Sequence, residues 1–325
     1  MAEENVNTGF ESDDDNLLEQ HGFEKVAHKG DFPTMFDLLA MLIIVVLSQL
    51  VVSVIGVALG LPMPDMLSGE VIDIEQFIGV QVVRGESFAV IYPLSMIMAC
   101  GLLYCYIRFR DGRGRIARAS ARGFNPNVIL GGLIWLIAVQ VVVEPLSLLL
   151  PKVEQGSGQG FWAIVTAVVF APVFEELLFR GLILESLLRR HRRSLSVVVS
   201  SAIFAIVHFE PSVMFAAFVS GLVLGTIYIH TNSIFSTIIL HSINNAIAYS
   251  LITLNLDNFS YYHILGGGSL YYTVYGVCFV ICVIATVETY VQQGNLRRPA
   301  RKQHGRAWQI RHHEGAILFL RRSPY

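Results

Sequence analysis

Long apolar stretches run through most of this chain, and they constrain its fold more than any other feature. A helix needs about 20 mostly apolar residues to cross the hydrocarbon core of a bilayer. Hydrophobic residues make up 54% of the 325 residues and charged residues only 15%, against about 45–50% and about 25% in soluble domains. The pattern therefore predicts an all-α, polytopic membrane bundle of about eight transmembrane helices. The predicted spans are 36–61, 88–108, 127–150, 161–183, 194–209, 212–229, 234–254 and 269–290.

The basic residues indicate which side of the membrane the termini face. Eight spans place both termini on one side, and if that side is the cytoplasm, nearly all Lys and Arg residues fall on cytoplasmic segments. Only Arg84 and Lys152 fall outside, and Arg180 lies within a span. This distribution is the positive-inside bias of membrane proteins, so both termini are predicted to be cytoplasmic.

The spans divide the chain into five predicted regions. Residues 1–35 form an acidic, disordered cytoplasmic tail, and 36–126 contain the first two spans with an external loop at 62–87 and a basic cytoplasmic loop. Residues 127–255 form a core that carries most of the polar groups within spans, 256–290 the last span, and 291–325 a basic cytoplasmic tail. Neither tail has the composition of a nucleic-acid-binding module, so the expected surroundings are the lipid bilayer, without nucleic acid.

A few polar and ionisable residues lie inside the predicted spans. Each such side chain costs about 2.5–3.5 kcal/mol in hydrocarbon, so each one needs a reason. Glu176 and Arg180 are four residues apart and share a helix face, where they can neutralise each other. Glu175 is turned about 100° away and has no basic partner on its own helix. His241 and Asn245 are also four apart and project together.

Each of these residues also has a purely structural explanation. A Glu–Arg pair inside a bundle is more often a packing contact than a catalytic one, and we adopt that interpretation for Glu176 and Arg180. The structural explanation weakens when the residues are taken together. One unpaired Glu, two His and an Asn on three neighbouring spans form a set suited to activating water and stabilising an oxyanion.

Three motifs on successive spans resemble those of one known family. They are Glu-Glu-x-x-x-Arg, Phe-x-x-x-His and His-x-x-x-Asn, and they occur in that order. In this sequence they are Glu175, Glu176 and Arg180, then Phe204 and His208, then His241 and Asn245. The set is similar to the CPBP family of intramembrane proteases, which comprises the type II CAAX prenyl endopeptidases and the bacteriocin-processing (Abi) proteins. The resemblance covers residues 127–255, which it identifies as a catalytic core.

The resemblance implies an intramembrane endopeptidase and a role for each residue. Glu175 would be the general base that activates water, assisted by His208. His241 and Asn245 would stabilise the tetrahedral oxyanion. Glu176, Arg180 and Phe204 would have supporting roles. The substrate expected from the resemblance is a membrane-embedded or lipidated peptide or protein.

The resemblance leaves the metal requirement open. If zinc takes part, Glu175, His208 and His241 would be its ligands, with one open position. No His-Glu-x-x-His sequence is present, and Asn245 is a poor zinc ligand but a good oxyanion donor. We therefore favour a glutamate mechanism that requires no cofactor.

The depth of His208 and the choice between catalytic and non-catalytic functions are not decided by the sequence. The predicted limits place Glu175 and His241 in the cytoplasmic half of the membrane but His208 nearer the outer end, which favours a short fifth helix that ends within the membrane. Two rival functions also stay open: a non-catalytic membrane immunity or scaffold protein, and a proton-coupled peptide transporter. The expected location is the bacterial inner membrane, because the loops are compact and no organelle signal is evident.

Overall fold

The protein is an all-α bundle in the computed structural model, which describes residues 32–60, 85–111, 125–150, 161–254 and 260–296. Within these ranges the chain forms helices and no strand. The helices are α1 (Met35–Ala58), α2 (Gly85–Asp111), α3 (Pro126–Ser147), α4 (Phe161–Leu188), α5 (Arg193–Ile206), α6 (Pro211–Thr231), α7 (Ile234–Thr253), the short α8 (Tyr261–Ile264) and α9 (Gly268–Leu296).

Seven of the described helices, namely α1 to α4, α6, α7 and α9, are long and apolar enough to cross a membrane. Their outward surfaces are apolar, as along α9, where Val277, Val280 and Val287 are all exposed. Large exposed apolar surfaces of this kind are typical of contact with lipid. The predicted polytopic helical membrane bundle is therefore confirmed. The predicted acidic tail, external loop, basic loop and basic tail lie largely outside the described residues.

The fifth predicted span is shorter than expected. We predicted a helix over 194–209, but α5 ends at Ile206 and has 14 residues, about 20 Å at 1.5 Å per residue. The chain then turns back within four residues, and Phe209 takes a left-handed φ of 58° before α6 begins at Pro211. The predicted boundary at 209 is therefore wrong. The alternative that we favoured, a short fifth helix, matches the structure.

Helix α4 contains two π-helical segments, Thr166–Phe170 and Phe179–Leu184, on either side of the two glutamates. Pro172 explains the first one. Proline has no N–H, and its ring collides with the carbonyl four residues earlier in a regular α-helix, so an extra residue in the preceding turn relieves the clash. A π segment in an α-helix often occurs at a functional site.

Several charged contacts join helix ends at one face of the bundle. At the start of α1, Asp37 accepts a hydrogen bond from Nε of Arg110, near the end of α2, at 2.8 Å. Asp111, the last residue of α2, accepts one from Arg189, which follows α4. The start of α1 and the ends of α2 and α4 therefore meet at one arginine-rich face. By the positive-inside rule this face is expected to be cytoplasmic, as predicted from the sequence.

Helices α5 and α6 pack closely because small residues line their interface. A Cβ atom added to Gly221 of α6 would lie 3.0 Å from Cβ of Ser201 on α5. Gly225, one turn later, faces Val197 in the same way. Small residues at such positions let two membrane helices approach each other. This contact holds the short α5 against α6.

Candidate active site

Glu176 and Arg180 form a buried ion pair in α4. Nη1 of Arg180 donates to Oε1 of Glu176 at 2.6 Å, and the two side chains are 2% and 0% exposed. Nη2 of Arg180 also donates to the carbonyl of Gly221 in α6 at 3.2 Å. The guanidinium lies 5.0 Å from the centre of the Phe204 ring in α5. The predicted pair is present, and Arg180 joins α4 to two further helices.

His241 contacts the same glutamate. Its Nδ1 lies 3.0 Å from Oε1 of Glu176. A carboxylate paired with arginine only accepts hydrogen bonds, so Nδ1 carries the hydrogen and donates it. This contact was not predicted from the sequence, because it joins two helices that are 65 residues apart in the chain. Glu176 therefore does more than neutralise Arg180, since it also orients the imidazole of His241.

Glu175 points to a different set of partners. Its side chain is 13% exposed, and its Oε2 lies 3.7 Å from Nε2 of His241. Its Oε1 accepts a hydrogen bond of 2.6 Å from the hydroxyl of Tyr92 in α2. As helix geometry predicted, the basic residue on α4 pairs with Glu176 rather than with Glu175. Tyr92 was missed, because a tyrosine in an apolar span carries no sequence signal that separates it from a packing residue.

His208 lies in the turn after α5. Its Nδ1 is 2.7 Å from the carbonyl oxygen of Phe204, an acceptor, so Nδ1 donates and Nε2 of the neutral ring is left as an acceptor. The Phe204 ring lies 4.8 Å from the His208 ring and 5.9 Å from the His241 ring, centre to centre. Both imidazoles therefore lie beside the same aromatic ring. Within the described residues, His208 makes no ion pair or hydrogen bond with Glu175.

Asn245 compensates for a backbone defect in α4. Within the first π segment the N–H of Ala171 bonds to the carbonyl of Thr166. The next N–H in the same i to i−5 pattern, that of residue 172, is missing because this residue is proline. The carbonyl of Ala167 is left without that donor, and Nδ2 of Asn245 donates to it at 2.9 Å. Asn245 thus has a structural role that the sequence did not reveal, while its second amide hydrogen is not used in this bond.

A cavity of about 410 Å³ opens beside these residues. The part of its wall nearest the site residues is formed by His208, His241, Asn245 and Phe204. The rest of the wall comes mainly from α3, α6 and α7. Most of the wall is apolar, and none of the lining residues is Lys or Arg. Glu175 does not line the cavity itself, but it lies 3.7 Å from His241, which does.

The predicted zinc ligands do not form a metal site in this arrangement. Among the described residues, no group of three or more His, Cys, Asp or Glu side chains is placed to hold a metal ion. Nδ1 of His241 is directed at Glu176 and Nδ1 of His208 at a backbone carbonyl, so Nε2 is the one nitrogen of each ring that is left to bind a metal ion. As they stand, Glu175, His208 and His241 do not form a metal-binding group.

Comparison with known proteins agrees with the predicted family. Residues 157–247 match the family model described as type II CAAX prenyl endopeptidase Rce1-like. The match runs from just before α4 into α7 and includes all seven predicted site residues, whereas Tyr92 lies outside it. No curated protein and no solved structure shows a significant match. The predicted resemblance is thus confirmed: residues 157–247 of this helical membrane protein are similar to the type II CAAX prenyl endopeptidase Rce1-like family.

Proposed function

We propose that the protein is an intramembrane endopeptidase that hydrolyses a peptide bond in a membrane-embedded or lipidated peptide or protein. The main support for the proposal is the arrangement of three ionisable side chains. Two glutamates and a histidine from α4 and α7 are linked by contacts of 3.0 and 3.7 Å, beside an apolar cavity and within the range that matches the protease family. The mostly apolar wall of the cavity suits a segment that enters from the bilayer.

In the proposed reaction Glu175 is the general base. Its carboxylate takes a proton from a water molecule, and the hydroxide oxygen bonds to the carbonyl carbon of the substrate. The carbonyl oxygen becomes an oxyanion. When the carbon–nitrogen bond breaks, Glu175 returns the proton to the leaving amine, so that the products are a carboxylate and an amine. The 13% exposure of Glu175 supports this role, since a base must be within reach of water.

The histidines and Asn245 have complementary roles in this mechanism. The unprotonated Nε2 of neutral His208 can accept a hydrogen bond from the attacking water and so assist Glu175. In this mechanism His241 is an imidazolium: its Nδ1–H bonds to Glu176, and its Nε2–H, together with the second amide hydrogen of Asn245, donates to the oxyanion. Glu176 and Arg180 hold His241 in position, and Phe204 packs between the two imidazoles. The mechanism uses side chains alone, and we propose that it requires no cofactor.

We also propose that the arginine-rich face of the bundle lies in the cytoplasm, with both termini on that side. Contacts at this face join the start of α1 to the end of α2, and the end of α2 to the residue after α4. Helix α5 begins at Arg193, directly after this cluster. Arginine and lysine accumulate on the cytoplasmic side of membrane proteins, which supports this orientation.

The test is a cleavage assay with the purified full chain in lipid vesicles. A panel of lipidated and unlipidated peptides is incubated with the protein, and the products are identified by mass spectrometry. Glu175→Gln keeps the shape of the side chain but removes the base, so cleavage should fall by about 10²–10⁴-fold. The matched variant is Glu176→Gln, one residue later, which should retain more activity than Glu175→Gln. Full activity of Glu175→Gln, or no cleavage by the wild type, would contradict the proposal.

A further inference from the structure

We propose that Tyr92 is a positioning residue that sets the orientation of the Glu175 carboxylate, an inference that rests on the proposed function. Its hydroxyl donates to Oε1 of Glu175 at 2.6 Å, the short distance expected for a bond to an ionised acceptor. The two residues are 83 positions apart and belong to α2 and α4. Tyr92 lies outside the residues that match the protease family.

The two oxygens of Glu175 have different surroundings, and this difference defines the role. Oε1 is occupied by the hydroxyl of Tyr92, whereas Oε2 lies on the side of His241, 3.7 Å from its Nε2. A carboxylate is free to rotate about its last side-chain bond unless a partner holds one oxygen. The bond to Oε1 therefore keeps Oε2 directed at His241, which lines the cavity.

The surroundings of Tyr92 make it a rigid support. Its ring is half-buried and packs against the cluster of apolar side chains between α1, α2, α4 and α5. The ring of Phe88, one turn earlier, lies 5.3 Å away. The backbone carbonyl of Tyr92 accepts a hydrogen bond from the hydroxyl of Ser95 at 2.8 Å, beside Pro93. A side chain held on this many sides can keep a catalytic group in one geometry.

The same helix contains a matched control. The hydroxyl of Tyr106 also donates to a carboxylate at 2.6 Å, but this carboxylate belongs to Asp37 at the arginine-rich face. Asp37 is also bonded to Arg110 and does not contact the catalytic residues. Tyr92→Phe and Tyr106→Phe therefore remove the same atom and the same type of bond from one helix. Only Tyr92→Phe changes the surroundings of Glu175.

The experiment compares the two variants in the vesicle assay, measuring kcat and KM for a peptide that the wild type cleaves. Loss of a group that orients a metal ligand costs about 10–100-fold in activity, and we expect a loss of the same order for a group that orients a catalytic carboxylate. We expect this loss in kcat for Tyr92→Phe with KM changed less than about twofold, because the cavity wall is intact. Tyr106→Phe should retain kcat close to that of the wild type. Melting temperatures of both variants show whether each has folded.

Three outcomes separate this inference from the proposed function. If Tyr92→Phe keeps the full kcat while Glu175→Gln is inactive, Tyr92 does not position the base, although the proposed function stands. An equal loss of kcat in Tyr92→Phe and Tyr106→Phe means that the effect is a general one on the fold, and this also overturns the inference. If the wild type and Glu175→Gln cleave at the same rate, the proposed function itself fails, and the role of Tyr92 fails with it.

Discussion

Replacing Arg180 by methionine would leave a carboxylate without its cation in the middle of the bundle. Methionine replaces the unbranched part of the arginine side chain by an apolar chain and removes the guanidinium and its charge. Glu176 would keep the hydrogen bond from His241 but lose the one from Arg180 at 2.6 Å. Arg180→Met therefore removes the ion pair together with the other contacts of the guanidinium, and a double variant is needed to separate the two effects.

The expected cost follows from burial. The side chains of Glu176 and Arg180 are 0% and 2% exposed, so water does not replace the lost partner. Removing one member of a buried ion pair costs about 3–5 kcal/mol. The remaining His241 donor favours the lower end of this range, whereas loss of the Arg180 bond to Gly221 and of the contact with Phe204 favours the upper end. At about 2–4 °C per kcal/mol, the melting temperature should fall by about 6–20 °C.

The assay is thermal unfolding of the purified variants in one detergent, followed by intrinsic fluorescence. Arg110→Met is the matched control, because Arg110 also pairs with a carboxylate but its side chain is 43% exposed. Asp37 is itself only 2% exposed, but it keeps its hydrogen bonds from Tyr106 and Thr34, and water can replace the exposed guanidinium, so this control should lose less stability than Arg180→Met. The double variant Glu176→Gln, Arg180→Met removes both charges and should recover most of the loss.

The reasoning would be refuted by either of two results. If Arg180→Met costs no more than Arg110→Met, burial does not strengthen this pair. If the double variant is as unstable as Arg180→Met alone, the loss comes from packing around Arg180 and not from an isolated charge on Glu176.

Three further predictions concern other parts of the bundle. Asn245→Ala should lower the free energy of unfolding by about 1–3 kcal/mol, because it leaves a backbone carbonyl of α4 without a donor. In thermal unfolding this loss should be smaller in a Pro172→Ala background, where residue 172 has an N–H. An equal loss in both backgrounds would show that Asn245 does not compensate for Pro172. Gly221→Ala should destabilise the protein by about 1–3 kcal/mol, because the new Cβ would lie 3.0 Å from Ser201. Gly101→Ala is the control: a Cβ at this position has no neighbouring atom within 4 Å, so the variant should be neutral or slightly more stable in the same assay. Reporter fusions at both termini should be active only in the cytoplasm, and activity on the opposite side would contradict the proposed orientation.

Several features of the site follow from local spacing and could be read from the sequence. The pairing of Glu176 with Arg180 depends only on the helical repeat, which places residues four apart on one face. The same repeat separates Glu175 from that arginine. The apolar spans likewise follow from hydropathy, because a bilayer requires long apolar helices regardless of how they pack. The three motifs also identified the family.

Contacts between helices required the tertiary structure. The bond from Tyr92 to Glu175 joins residues 83 positions apart, and nothing in an apolar span distinguishes a tyrosine that reaches a catalytic group from one that packs. The hydrogen bonds from His241 to Glu176 and from Asn245 to the Ala167 carbonyl could not be predicted for the same reason, since each joins two different helices. The sequence favoured a short α5, but its exact end required the structure, because the apolar residues continue past Ile206 to Val207. Hydropathy and helical periodicity describe one helix at a time, whereas these partners are chosen by how neighbouring helices are tilted, rotated and shifted against one another.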